Sequence, residues 1–120
     1  MTEPASQEIR TDDYSVTYDD ATKTVACQGS LRLSDMAEYK PIVELLERVS
    51  EVEADGITLD LTELEFLNSS GISMLSKFVI RVRHRKTVMM SVRGSQTIPW
   101  QGKSLKNLQR LMPTLDLQWS

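Results

Sequence analysis

The stretch that decides the fold of this chain is "GITLDLTELEFLNSSGISMLSKFVIRVR", residues 56–83. Its first half alternates apolar and polar residues, which is typical of a strand with one buried face. Its second half repeats apolar residues at the spacing of an amphipathic helix, at Ile72, Leu75, Val79 and Val82. Between the halves lies the corner "LNSSG", Leu67 to Gly71, which sets two adjacent hydroxyls where the chain turns. The use of those hydroxyls is the functional question.

Upstream of this stretch, the pattern predicts a β-hairpin and a helix. The segment "DYSVTYDDATKTVACQGSLRL", residues 13–33, alternates apolar and polar residues on either side of the turn "DDAT". The segment "SDMAEYKPIVELLERVSEV", residues 34–52, carries an apolar stripe at helical spacing that begins at Tyr39, and Ser34 or Asp35 is suited to cap it. Pro41 either kinks this helix or marks a new start at a first-turn position.

Downstream, the pattern predicts a strand, a helix and a short terminal strand in "KTVMMSVRG", "TIPWQGKSLKNLQRLM" and "LDLQW". Helices that alternate with strands imply parallel strand pairs joined by right-handed crossovers. The sequence therefore predicts the α/β class, with a mixed β-sheet of about five strands and helices packed on it. Residues 1–10 are polar and without a period, so we expect a flexible N-terminal tail followed by a single domain over residues 11–120.

Composition and charge narrow the classes of function. The chain has 120 residues, of which 40% are apolar and 26% are charged, as in an ordinary globular domain. The chain has one cysteine, Cys27, so it cannot form an internal disulfide, and this favours a cytoplasmic location. We expect Cys27 to be a small buried apolar residue. No apolar run approaches the roughly 20 residues of a membrane span, and the first ten residues, "MTEPASQEIR", lack the apolar region of a signal peptide. A net charge of −3 argues against nucleic-acid binding.

One basic cluster, "RVRHRK" over residues 81–86, stands out against the acidic balance. It falls where the second helix should end, so interaction with the helix dipole explains it, and contact with an acidic partner is the alternative.

Catalysis by the corner lacks the groups it would need. A nucleophilic Ser69 or Ser70 requires a base, and the single histidine, His84, lies roughly 20 Å away along the same helix. "LNSSG" also lacks the flanking glycine of a nucleophile elbow and the glycines and lysine of a phosphate-binding loop. One histidine and one cysteine give no metal-ligand spacing. We therefore expect no enzyme, cofactor or metal; a hydrolase would need a base from another subunit.

Helix capping explains part of the corner. Asn68 or Ser69 is suited to accept hydrogen bonds from the first free N–H groups of the helix. Capping does not require two hydroxyls followed by Gly71, which we expect to leave the first turn open to an approaching partner.

The central stretch resembles the STAS domain of bacterial anti-sigma-factor antagonists. That family shows a hydrophobic strand, an Asp-Ser-Ser/Thr-Gly turn and an amphipathic helix, which here correspond to the strand, "NSSG" and the helix of residues 56–83. The order of elements also agrees from about residue 12 to residue 119. The resemblance implies a STAS-type mixed sheet.

The resemblance also implies a non-enzymatic, phospho-regulated binding switch. A serine kinase with a histidine-kinase-like ATPase fold, which doubles as the anti-sigma factor, would phosphorylate Ser69 or, as the less favoured site, Ser70. The unmodified protein would bind that kinase and free the sigma factor, and a serine phosphatase would reset the cycle. The expected partner-binding residues are Leu33, Ser34, Asn68, Ser69, Ser70, Gly71 and Met74.

Asn68 departs from the family pattern, which usually has Asp at this position. An asparagine caps equally well but brings no charge to orient the Ser69 hydroxyl. The alternative is therefore an unphosphorylated STAS scaffold or a regulatory subunit that controls another signalling effector. The sequence leaves open a homodimer and the role of Ile98–Ser104, while Trp100 and Trp119 are expected to cover the core.

Overall fold

The computed structural model describes residues 8–52 and 55–120, which form one mixed sheet and three helices. The strands are β1 (Glu8–Arg10), β2 (Tyr14–Asp19), β3 (Thr24–Leu31), β4 (Gly56–Leu67), β5 (Met89–Gly94) and β6 (Asp116–Trp119). The helices are α1 (Lys40–Val52), α2 (Ser69–His84) and α3 (Gln101–Leu111). The strands lie side by side in chain order; β1 to β3 are antiparallel and β3 to β6 are parallel.

The α/β class and the STAS-type mixed sheet are confirmed, with six strands in the described ranges rather than about five. The additional strand is β1, in which Ile9 lies opposite Val16 of β2. Residues 8–10 were predicted to belong to the flexible tail, and that prediction is wrong for them. A three-residue edge strand is too short to show the alternation of apolar and polar residues by which strands are recognised. Residues 1–7 of that tail lie outside the described residues, and the assignment of residues 11–120 to a single domain stays a prediction.

Helix α1 begins later than the sequence predicted. Residues 34–39 form turns in which Asp35 Oδ1 accepts a hydrogen bond from the Glu38 N–H at 3.1 Å. Pro41 has no N–H to donate, so an α-helical ladder cannot continue through this point from residue 34. The helix therefore starts at Lys40, with Pro41 in its first turn, which is the second of the two alternatives for this proline.

The apolar core lies between the sheet and the three helices. Sequential parallel strands joined by right-handed crossovers place α1, α2 and α3 on one face of the sheet. Ile57, Leu59 and Leu61 of β4 are buried on that face, whereas Thr58 and Asp60 alternate with them and remain half-buried. The central strand thus has one covered face and one more open, polar face. Cys27 is buried in this core, as expected.

The second half of β4 extends beyond its neighbour β5, which pairs with it only from Gly56 to Asp60. Gln101 covers the uncovered edge: its Nε2 donates to the Leu61 carbonyl at 2.7 Å and to the Leu64 carbonyl at 3.1 Å. The indole N–H of Trp100 donates to the Glu65 carbonyl at 3.1 Å. The segment Ile98–Ser104, whose role the sequence left open, therefore supplies the hydrogen bonds that a longer β5 would have made.

Candidate functional site

The "LNSSG" corner lies at the carboxyl edge of the parallel part of the sheet, between the end of β4 and the start of α2. Because β3 and β4 are parallel and Leu31 pairs with Leu67, both strands end side by side. The loop after β3 therefore runs past the corner. This topology brings the Leu33 carbonyl into contact with Asn68, and the assignment of Leu33 and Ser34 to a partner surface stays a prediction.

Asn68 is the N-cap of α2 and joins three parts of the chain. Its Oδ1 accepts a hydrogen bond from the Gly71 N–H at 3.0 Å, which satisfies one of the free donors of the first turn. Its Nδ2 donates to the Leu33 carbonyl at 2.8 Å, and its backbone N–H donates to the Leu31 carbonyl at 3.2 Å. Both the helix start and the β3 loop are thus held by one side chain.

The geometry at residue 68 suits an amide better than a carboxylate. The Gly71 N–H can only donate and the Leu33 carbonyl can only accept, so these two partners fix the orientation of the Asn68 amide. An ionised Asp at this position would keep the cap but set a second acceptor against the Leu33 carbonyl. Asparagine at position 68, where the STAS pattern usually has aspartate, therefore fits the carbonyl group that the neighbouring loop presents.

Tyr39 is a site residue that the sequence analysis placed only on the apolar stripe of a helix. It is fully buried, and its hydroxyl donates to Asn68 Oδ1 at 2.6 Å. Burial raises the pKa of the Tyr39 phenol, so the hydroxyl stays protonated and available as a donor. The periodicity of a helix indicates that Tyr39 faces inward, but no local signal shows which group its hydroxyl meets.

The two serines of the corner differ in exposure. Ser69, the first residue of α2, is exposed, and Ser70 is half-buried. Neither hydroxyl makes a hydrogen bond to any other residue in the described ranges. The first turn of α2 contains no acidic side chain, so no carboxylate within it opposes an added anion. Ser69 is the more accessible of the two hydroxyls to a modifying enzyme.

Gly71 and Met74 occupy positions that the sequence analysis did not foresee. A Cβ on Gly71 would point inward, 2.8 Å from the Tyr39 hydroxyl and closer still to Leu67. The absent side chain therefore makes room for packing beneath the corner rather than opening its outer surface. Met74 is only 2% exposed and lies in the wall of a groove between α1 and α2, so its predicted contact with a partner would be limited to that groove.

Two exposed residues next to the corner in the chain order of β3 and β4, Arg32 and Phe66, were not singled out by the sequence analysis. The guanidinium of Arg32 stands over the Phe66 ring, 4.4 Å from its centroid, and Phe66 is 39% exposed. Aromatic residues and Arg are enriched at protein–protein interfaces relative to the rest of the surface. Leu33 beside them is half-buried and Ser34 is exposed.

Among the described residues, the single histidine lies far from the serines of the corner. Ser69 and His84 are the first and last residues of α2, which separates them by roughly 22 Å. Within residues 8–52 and 55–120, no three His, Cys, Asp or Glu side chains come together in a way that could hold a metal ion. Of the helices just described, none has the length and apolar character needed to cross a membrane.

Comparisons with known proteins identify the fold. No family model and no curated protein sequence matches this chain. Among solved structures, it is similar to a chain in the crystal structure of the diguanylate cyclase SiaD in complex with its activator SiaC from Pseudomonas aeruginosa. That match has a TM-score of 0.73 and 15% identity, and covers 94% of this chain and 98% of the other.

Two structures of SiaC from Pseudomonas aeruginosa without a named partner give the same result. The first has a TM-score of 0.71 at 14% identity and covers 94% of this chain and 98% of SiaC. The second, apo-SiaC, has a TM-score of 0.70 at 14% identity and covers 92% of this chain and 98% of SiaC. The fold of this protein is therefore similar to that of SiaC over almost its full length.

Proposed function

We propose that this protein is a non-enzymatic binding module that controls a signalling effector enzyme, and that phosphorylation of Ser69 weakens the binding. The observation that carries this proposal is the exposed Ser69 hydroxyl at the first position of α2, on a corner that Asn68 holds rigidly. The corner presents a modifiable group on a fixed surface without any group that could perform catalysis.

Phosphate on Ser69 would change the partner surface without changing the fold. It would add about −1.5 to −2 charges and strong acceptor oxygens. The start of a helix tolerates negative charge, and the first turn of α2 adds no acidic side chain. A docked partner would meet both the charge and the bulk. A penalty of about 2–3 kcal/mol would weaken binding roughly 30- to 150-fold, which is enough for a switch.

The fold similarity bears on the class of partner. SiaC is an activator of a diguanylate cyclase, and this favours an effector enzyme such as a nucleotide cyclase over a sigma-factor pathway. The second candidate is an anti-sigma-factor antagonist, which the "NSSG" turn between strand and helix supports. In both cases the proposal includes a serine kinase of the ATPase type that modifies Ser69 and a serine phosphatase that restores it.

The test uses the protein from its own cells. We would purify the tagged wild type, map its phosphorylation by mass spectrometry and isolate the enzyme that copurifies with it. Binding to that enzyme and its rate of product formation are then measured for Ser69→Ala, Ser69→Glu and the control Thr22→Glu. Thr22 is exposed in the turn between β2 and β3, at the opposite edge of the sheet.

We expect mass spectrometry to find phosphate on Ser69. Ser69→Ala should regulate the enzyme as fully as the unmodified wild type does. Relative to the unmodified wild type, Ser69→Glu should bind the enzyme at least fivefold more weakly, and Thr22→Glu should bind it equally well. An unmodified Ser69 together with unaltered binding by Ser69→Glu contradicts the switch and leaves an unphosphorylated regulatory subunit. Release of a sigma factor from its inhibitor by the wild type would select the second candidate.

A further inference from the structure

An apolar groove of about 660 Å³ runs between α1 and α2. Leu46, Met74 and Phe78 in its walls belong to the buried core. Val43 and Ile80 are half-buried beside them, and Met36, in the turn before α1, is 37% exposed at the same groove. The apolar surface that solvent can reach in the groove is therefore mainly that of Met36, Val43 and Ile80, with the core residues directly beneath it.

The α2 side of the groove is basic. Lys77 and Arg81 lie four positions apart on one face of α2, Arg85 follows at the same spacing as the C-cap residue, and His84 lies beside them. Arg81 pairs with Glu47 of α1 at 3.3 Å, and Arg85 donates to the Ser50 carbonyl. Lys77 has no ion pair or hydrogen bond with any described residue. This face is positive on a chain whose net charge is −3.

The groove has the length of a short helix. Tyr39, just before α1, contacts Asn68 at the start of α2, and Ser50 near the end of α1 contacts Arg85. The two helices therefore run in the same direction, and the groove follows α2 from Met74 to Arg85. At about 1.5 Å per residue this distance is roughly 17 Å, or about three helical turns.

We propose that this groove binds an amphipathic helix of a protein partner, with an apolar stripe on the floor and acidic side chains facing Lys77 and Arg81. Grooves of this kind recognise helices through residues spaced three and four apart, while complementary charge sets orientation and specificity. The inference rests on the proposed function in taking the chain as a binding module. It adds the chemistry of the partner and explains the basic cluster at residues 81–86, part of which lines the groove.

The groove also connects to the corner. Met74 lies one turn beyond Ser70, so a helix in the groove ends close to Ser69. A phosphate there would repel the acidic side chains of that helix. One partner surface would then include both the groove and the modified serine.

The groove is tested on the unmodified protein, so that its outcome is separate from that of the phosphorylation switch. The probe is a synthetic, helix-stabilised peptide of three to four turns with leucines along one stripe and glutamates flanking it. The control peptide has lysine in place of every glutamate. Binding sites are mapped by NMR chemical-shift changes, and affinities are measured by fluorescence anisotropy at low and high salt.

We expect the acidic peptide to shift the signals of Met74, Phe78 and Ile80, and the lysine peptide to bind at least tenfold more weakly. Lys77→Glu should weaken binding of the acidic peptide about fivefold, and high salt should do the same to the wild type. Ile80→Gln, which removes apolar floor without adding charge, should weaken both peptides. The matched control Lys106→Glu, an equal charge change on an exposed site of α3, should leave affinity unchanged.

Three results would overturn the proposal. The first is equal affinity for the two peptides, or no binding of the acidic one at millimolar concentration. The second is a pattern of shifts on the open face of the sheet. The third is a dimer in sedimentation that Ile80→Gln disperses, which would assign the groove to a second copy of this chain.

Discussion

At the scale of single residues, the amide of Asn68 holds the corner together. Its oxygen accepts hydrogen bonds from Tyr39 and Gly71, and its nitrogen donates to the Leu33 carbonyl. Each such hydrogen bond contributes about 1 kcal/mol net, and leaving a buried partner unsatisfied costs about 1–3 kcal/mol. The position of Ser69 therefore depends on a neighbour that performs no chemistry.

Asn68→Asp tests whether the amide is required. The carboxylate keeps the helix cap but faces the Leu33 carbonyl with an acceptor, so we expect the free energy of unfolding to fall by about 1–2 kcal/mol at pH 7. Protonation of the carboxyl restores a donor, so the deficit should shrink near pH 4. Urea denaturation of both proteins at the two pH values measures this. Equal stability at pH 7 would show that the Leu33 hydrogen bond contributes nothing.

Two buried tyrosines form a matched pair for the next prediction. The Tyr39 hydroxyl donates to Asn68, whereas the Tyr18 hydroxyl is buried and has no hydrogen-bond partner among the described residues. We expect Tyr39→Phe to lower the free energy of unfolding by about 1–2 kcal/mol, because Asn68 loses a partner. Tyr18→Phe should leave it unchanged or raise it slightly, because no hydrogen bond is lost. Thermal unfolding followed by circular dichroism distinguishes the two, and equal losses would contradict the prediction.

At the scale of elements, Leu67 and Tyr39 pack closely against the first turn of α2 at Gly71. Gly71→Ala would place a methyl group against Leu67 and 2.8 Å from the Tyr39 hydroxyl. Alanine is the better helix former by about 1 kcal/mol, yet the clash should dominate and lower the free energy of unfolding by about 1–3 kcal/mol.

Gly102→Ala is the control for that change. Gly102 lies in α3, and a Cβ there meets nothing within 4 Å, so this variant should be more stable by about 0.5–1 kcal/mol. Both variants are compared by urea denaturation. A stabilised Gly71→Ala would show that Leu67 and Tyr39 move aside at little cost.

Gln101 ties the start of α3 to the uncovered edge of β4. The Gln101 side chain is fully buried. Its Nε2 donates to the two β4 carbonyls, and its Oε1 accepts a hydrogen bond from the Ser95 N–H at 2.8 Å. Gln101→Leu keeps the volume but leaves these groups unpaired, so we expect a loss of about 2–4 kcal/mol in the free energy of unfolding. Gln96→Leu, on an exposed residue, is the control and should change it by less than about 0.5 kcal/mol. Similar losses in both would refute the role assigned to Gln101.

At the scale of the whole molecule, Cys27 reports on the integrity of the core. Burial, with a smaller contribution from the charge of Asp60, raises the pKa of the thiol from 9.0 to about 12. Between these values the unfolded chain holds fewer protons than the folded one, so the contribution of the buried thiol to stability is complete below pH 9 and is lost as the pH rises toward 12. Burial also raises the pKa of Tyr39, which acts in the same direction.

The expected slope follows from that shift. Above pH 9, the free energy of unfolding of the wild type should fall by about 1 kcal/mol per pH unit more than that of Cys27→Ala. Guanidinium denaturation at pH 8, 9, 10 and 11 measures both slopes. Parallel slopes, or rapid labelling of the Cys27 thiol in the folded protein at pH 8, would show that the core opens at this strand.

Much of this architecture could be predicted from local patterns. The alternation at Ile57, Leu59 and Leu61, followed by the helical spacing from Ile72, predicted a strand that runs into a helix, and the order of elements predicted the α/β sheet. Asn68 was predicted as a cap because asparagine is a favoured N-cap residue and this one directly precedes the apolar helical pattern. These features depend on interactions between residues a few positions apart, so a single sequence contains them.

Contacts across the fold decided the rest. The sequence does not show that Tyr39 and Leu33 meet Asn68, that Gly71 faces inward, or that Gln101 completes the edge of β4. Each of these depends on which strands end side by side and which helices lie between them, and the order of strands in the sheet sets that. By itself the sequence determined where a corner with two serines forms. Only the tertiary structure decided which groups hold that corner, because hydrogen bonds and packing between distant segments exist only once the sheet has brought them together.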